Sequence, residues 1–321
     1  MQHFLLSSAA RSLSLKQVFR MGEDVAYQTF CQMRWPETEG EAVCPRCGCT
    51  ESYNIATRHK FKCVACYHQF SVTSGTIFAS RKLSFTDLLA AIVIFVNGAK
   101  GVSALQVSRD LDVQYKTAFV LSHKLREAMA AEDIGQTLQG EVELDGAYFG
   151  GHIRPANRKT ERRDRRLAIY QTGKRQVVVV GRERGGESIT VVAKSEALGG
   201  EIVASRIHHM ATVHADEASH WDGLHAKFET HRINHTVSYS NGTACTNQAE
   251  SFFSRLRRME VGTHHHIAGA HLTSYAAEAS WREDNRRVCN GNQTAMVGVA
   301  ALTIGVSRQW KGYWQRSVIS S

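Results

Sequence analysis

Two short knuckles, Cys44-Pro-Arg-Cys47 and Cys63-Val-Ala-Cys66, constrain the fold of this chain more than any other feature. Fifteen residues separate them. Zinc held by four thiolates at about 2.3 Å takes its ligands from such pairs, and the segment around it then needs little apolar core. Cys49 follows Gly48 and breaks the paired spacing, so the expected ligands are Cys44, Cys47, Cys63 and Cys66. Pairing four of the eight cysteines in this way suggests metal binding rather than a secreted disulfide framework, and the cytoplasm is the expected compartment. A zinc site of this kind holds a small fold together without proving DNA contact. Arg46, Arg58, Lys60 and Lys62, with Tyr53, Phe61, Tyr67 and Phe70, are the side chains that could make one.

A chain of 321 residues has room for about two domains or more, and its 43% apolar content can supply their cores. Lys and Arg number 39 against 30 Asp and Glu, a net charge of +9 that makes a polyanionic partner plausible without identifying it. The apolar run Leu88 to Val96 falls far short of the roughly 20 residues that span a bilayer, so no membrane segment is expected. The Ser-rich stretch with Arg11, Lys16 and Arg20, ahead of the first acidic residue Glu23, superficially resembles a transit peptide.

Texture divides the chain into an N-terminal segment with the zinc ribbon (1–80), a helical module (81–135), an α+β zone (136–290) and a C-terminal tail (291–321). In the second zone, Leu88, Leu89, Ile92, Val93 and Val96, then Leu105, Val107 and Leu111, then Ala118, Leu121, Leu125 and Met129 predict three helices. The piece from Val102 to Leu125 has the shape of a helix-turn-helix, with its turn near 111–113 and its second helix starting near Gln114. Such a helix can face base edges with its first residues, which nominates Gln114, Tyr115, Lys116 and Thr117; His123, Lys124 and Arg126 would lie nearer phosphates. A plain helical packing module would show the same pattern.

In the third zone, Glu141 to Phe149, Gln176 to Arg182 and Ser188 to Ala193 are rich in Val, Ile and aromatics, and Arg184-Gly-Gly supplies a hairpin turn. These predict a three-strand meander. A fourth short strand fits Thr212 to Ala215, and Ala249, Phe252, Phe253, Leu256 and Met259 have helical spacing. Asp145 and Asp216 stand among apolar strand residues, where an unpaired carboxylate is costly to bury, and Glu250 lies on the helix with Arg257 two turns along. Three carboxylates from two strands and a helix can hold two divalent cations, magnesium or manganese, for phosphoryl transfer.

With these residues the chain resembles the DDE transposases of bacterial insertion sequences, in particular the ISXO-two-like group with an N-terminal zinc ribbon. The resemblance rests on Arg34-Trp-Pro before the first knuckle, Phe70-Ser-Val-Thr-Ser-Gly-Thr-Ile-Phe, and Glu143-Leu-Asp-Gly-Ala-Tyr-Phe-Gly-Gly. Asp216, Thr246-Asn-x-x-Glu-Ser-Phe-Phe, Gly262-Thr-His-His-His and Asn285-Arg-Arg complete it. It implies an RNase H-like mixed-sheet catalytic domain with Asp145, Asp216 and Glu250 as the metal-binding triad. Members of the group vary at the third acidic position, so Asn247 is an alternative or added ligand. Seven places beyond that position they usually carry Lys, where this chain has Arg257.

The resemblance further implies cleavage at the ends of a mobile element and strand transfer into target DNA. Double-stranded DNA, both terminal repeats and target, is then the partner, bound by a homodimer or higher multimer. The alternatives are a zinc-ribbon helix-turn-helix regulator, a catalytically dead copy, or a related nuclease that cuts without rejoining. Nine Lys or Arg between Arg154 and Arg175 form a loop expected to meet phosphates. His264, His265 and His266 are read as substrate-contacting or helix-end residues, and the basic, Trp-bearing tail as a contact for DNA or a second subunit.

Overall fold

The computed structural model describes residues 4–132, 135–150, 158–161, 175–233 and 245–314, arranged as two compact units. Residues 1–132 and 285–321 form the first, and 133–284 the second.

Four helices build most of the first unit: α1 (Leu15–Arg34), α2 (Phe85–Asn97), α4 (Tyr115–Glu132) and α8 (Asn290–Thr303). Ser14 starts α1 through a reciprocal capping box with Gln17. Apolar side chains cover α2 on every face, Phe85 and Leu88 through Val96 all being buried, as expected of a central helix. The residues set apart as a tail are partly a helix of this unit. Asn290 accepts backbone N–H bonds from Ser12 (2.9 Å) and Leu13 (3.0 Å), and α8 packs on α1, α2 and α4. Between α2 and α4 lies the short α3 (Ala104–Asp110), joined to α4 by a tight turn in which Asp112 takes φ 50°. Ile94, Val102, Val107 and Ala118 close a small core beneath that turn.

The zinc ribbon carries an antiparallel sheet of β1 (Ser52–Ile55), β2 (Lys60–Cys63) and β3 (Gln69–Phe70). Its apolar content is small: Phe61 and Phe70 meet at 5.5 Å, and Trp35 crosses both edge-on. A core this thin needs a second source of stability.

The second unit is built on a five-stranded sheet, β4 (Glu141–Phe149), β5 (Gln176–Glu183), β6 (Ser188–Ala193), β7 (Thr212–Asp216) and β8 (Glu229–Ile233), in the order β6-β5-β4-β7-β8. The expected meander is present as antiparallel β4, β5 and β6, while β7 and β8 run parallel to β4. Helix α5 (Glu196–Ala204) covers one face, with Leu144, Val179, Val203 and Val213 in the core. On the other face lie α6 (Asn247–Met259) and α7 (Leu272–Asp284), burying Phe149, Val178, Phe252 and Leu256. Buried Arg182 on β5 ties the end of α7 down through Glu283 at 3.0 Å and Asp284 at 3.5 Å. Among the described residues no helix is long and apolar enough to cross a membrane.

Candidate active site

Strand register brings the first two acids together. The last paired positions of parallel β4 and β7 are Glu143 and His214. Asp145 and Asp216 each stand two residues further on, so they share a face of the sheet, Asp145 in the middle of β4 and Asp216 at the carboxyl end of β7, just past the last β4–β7 pair. That face is the one covered by α6, which carries Glu250.

Each acid is held by its own backbone. Gly146 N–H donates to Asp145 Oδ1 at 2.7 Å, and Ala218 N–H donates to Asp216 Oδ1 at 3.1 Å. Arg232, on β8, fixes the turn after Asp216 by donating to the carbonyls of Asp216 (2.5 Å) and Ala218 (2.7 Å). Burial pushes the Asp145 carboxyl up to about 7, and the negative charges of Asp216, Glu250 and Glu196 push the same way.

A cavity of about 530 Å³ opens on Asp145, Glu250, Ser254, Arg257 and Arg258. Glu250, Ser254 and Arg257 occupy successive turns on one side of α6, the side turned away from buried Phe252 and Leu256. Of the residues singled out in the sequence, Asp145, Glu250 and Arg257 therefore meet in this cavity. Asp216 acts on Asp145 from the adjoining strand without lining it, and Asn247, exposed at the first position of α6, does not line it either. Most of the basic loop between 154 and 175 lies outside the described residues. His264 ends a π-helical turn after α6 with its ring 4.6 Å from that of Tyr275, a helix-end position.

Two acids missed in the sequence belong to the same neighbourhood. Glu143, fully buried, takes N–H bonds from Gln248 (2.7 Å) and Ala249 (3.1 Å) with one oxygen and from Arg184 Nε (2.8 Å) with the other. Thr246, at the N-cap of α6, makes no side-chain capping bond, so a carboxylate from the central strand does the capping and sets where Glu250 stands. Glu143→Ala should destabilise the unit by about 3 kcal/mol, since it strips the part-buried Arg184 guanidinium and a helix start of one partner. Urea unfolding would measure this, and an unchanged midpoint would refute the capping role.

Glu196, at the start of α5, lies against Gly146: a Cβ at position 146 would stand 2.8 Å from its Cγ and 2.9 Å from its Oε1. His220 Nε2 pairs with Glu196 at 3.4 Å. Burial raises the Glu196 carboxyl, the charge of His220 lowers it, and Asp216 raises it.

The zinc ligands are fully gathered. The Sγ atoms of Cys44, Cys47, Cys63 and Cys66 lie within 4.8 Å of one another, with Cys44–Cys66 at 3.6 Å and Cys47–Cys63 at 3.5 Å. Tetrahedral zinc–sulfur bonds of about 2.3 Å place sulfurs about 3.8 Å apart, so the four thiols fit zinc. Gly48 closes the first knuckle at φ 74°, a conformation that favours glycine, while the Cys49 thiol stays outside the cluster and turns to the Glu51 carbonyl. Among the described residues these four cysteines form the one set of three or more ligand atoms so close together. The carboxylates sit further apart.

Residues 137–284 match the ISXO2-like transposase domain, and residues 21–69 match the transposase zinc-ribbon domain. The chain belongs to the ISXO2-like transposases. No curated protein and no solved structure matches it. The transposase domain coincides with the second unit almost residue for residue, and the ribbon match begins within α1, ahead of the first knuckle. A transposase of this family handles DNA, and its zinc-ribbon domain together with the four-cysteine cluster supports a structural zinc ion.

Proposed function

We propose that this transposase cleaves the ends of its insertion sequence and joins the freed 3′-hydroxyls to target DNA, with Asp145, Asp216 and Glu250 as ligands for magnesium or manganese. One observation carries the reading: Asp145 within β4, Asp216 at the end of the parallel strand β7 and Glu250 on the facing α6 come close enough that the charges of the last two add to burial in raising the Asp145 carboxyl. A desolvated acid with further carboxylates beside it suits hard divalent cations with oxygen ligands. When bound there, such ions would activate the attacking oxygen and stabilise the leaving one. The strand order β6-β5-β4-β7-β8, antiparallel then parallel, with helices on both faces, supports an RNase H-like fold.

The protein's own groups have distinct tasks in this reading. Glu143 holds α6 against β4 and thereby positions Glu250. Arg257 and Arg258 face the cavity and would hold the scissile phosphate, while Asn247 at the helix start is a second-choice ligand. In the first unit, α3 and α4 would form the helix-turn-helix, with exposed Gln114, Lys116 and Thr117 reading the element ends. Two ends must be handled together, which a homodimer or higher multimer would do.

Cleavage of labelled element-end DNA by the purified protein, with magnesium or manganese and without, tests the reading. Tight binding with no cutting under any condition would favour the regulator or dead-copy alternative. The pH dependence gives a second test. A protonated Asp145 cannot hold a cation, so at subsaturating magnesium cleavage should rise with pH through about 7. Its midpoint should move lower as magnesium is raised. A rate flat from about pH 5 to 9 at every magnesium concentration would remove Asp145 from the ligand set.

A further inference from the structure

The Trp-bearing end of the chain, unused by the proposed chemistry, builds a basic recess in the first unit. Trp310, Lys311, Tyr313 and Trp314 wall a groove of about 830 Å³ whose opposite side is the start of α4 with Gln114, Lys116 and Thr117. Arg81, Lys82 and Lys124 complete its charge: five cationic side chains line it, and no acidic one does among the described residues. Its aromatic wall is held in place. Trp310 is buried and stacks on His123 at 4.1 Å, and Phe119 of α4 touches Trp310, Tyr313 and Trp314 at 5.8 to 6.0 Å. Lys116 Nζ lies 5.3 Å from the centre of the Trp314 ring, which places a cation beside an aromatic face at the mouth.

A duplex offers base edges in its grooves and keeps its base faces stacked inside, whereas an unpaired base exposes a face to be stacked on. The groove's volume lies within the roughly 300–1,000 Å³ of small-molecule pockets, which fits an unpaired nucleotide and not a duplex. We propose that this groove binds unpaired DNA, stacking a base on Trp314 and Tyr313 and holding its phosphates with Lys82, Lys116 and Lys311. Cutting one strand at an element end frees a terminus that can supply such bases. The inference rests on the reading that the chain works on DNA ends, and it adds that the recognition-helix start receives an unpaired strand as well as groove edges.

Fluorescence anisotropy with the full chain tests it, using a labelled oligothymidine single strand and a labelled blunt hairpin duplex. Trp314→Ala should weaken single-strand binding about five- to hundredfold and leave duplex binding within about twofold, with an unchanged melting profile. Trp314→Phe should restore most of the lost affinity, and Lys311→Ala should lower the single-strand salt slope by about 0.7. Single-strand binding by wild type and Trp314→Ala to the same extent would overturn the proposal, as would equal loss on single strand and duplex. Wild type that binds only duplex sinks this inference and spares the transposition reading; wild type that binds neither sinks both.

Discussion

Asp145→Asn, Asp216→Asn and Glu250→Gln should each bind element-end DNA as wild type does and cut it at least about a thousandfold more slowly. The size follows from the several kcal/mol that cations contribute to phosphoryl transfer, at about 1.4 kcal/mol for each tenfold. Asp145→Asn removes an acid whose carboxyl is raised by burial and then by the charges around it, so it should also raise the stability of the metal-free protein. The sign follows from proton binding: the folded state holds the Asp145 proton up to about pH 7 and the unfolded chain releases it near 4. Stability is therefore complete at low pH and is lost as pH rises through that window, and the amide variant should not show the loss. Urea midpoints across the window, beside cleavage rates, check both halves. A variant that keeps cutting at the wild-type rate identifies a carboxylate outside the catalytic set.

The second large effect concerns zinc. One ion per chain is expected, and stripping it with a strong chelator, or replacing Cys63 by Ala, should unfold the ribbon. Structural zinc contributes about 10–16 kcal/mol in small zinc folds, far beyond what contacts among Trp35, Phe61 and Phe70 can replace. Backbone N–H donation from Cys66 at 3.5 Å already draws the Cys63 thiol down to about 6, toward the thiolate that zinc requires. Hydrogen exchange should show protection lost across β1 to β3, while strands β4 to β7 change little. A metal-free ribbon that stays protected would mean the four thiols are not its main support.

Features with strong local periodicity were legible in the sequence. The paired cysteines, the meander, the helical stretch after Thr246 and the turn before α4 all appear where spacing put them. What escaped depends on partners far along the chain. In Glu141-Val-Glu-Leu-Asp145 the three acids fall on one face of the strand, and nothing local tells a ligand from a cap. Only the fold reveals that Glu143 meets a helix start more than a hundred residues away. Glu196 resembles an ordinary first-turn acid, and its close approach to the strand beside Asp145 shows only in the Cβ missing at Gly146. Strand β8, Glu-Thr-His-Arg-Ile, is a polar edge strand without an apolar alternation to detect. Helix α8 hides for another reason: Asn, Gly and Gln open it, and its buried Val297, Ala301 and Leu302 are few.

The place of α8 bears on how the protein is made. Its partners α1, α2 and α4 leave the ribosome before the transposase domain is synthesised, and they wait with an apolar face uncovered until residues 290–303 emerge. A chain broken off anywhere in or before α8 would thus carry an unfinished first unit, even where the catalytic segment is whole. Only copies that extend through α8 would complete the helical packing of the first unit, a form of quality control set by the order of synthesis alone.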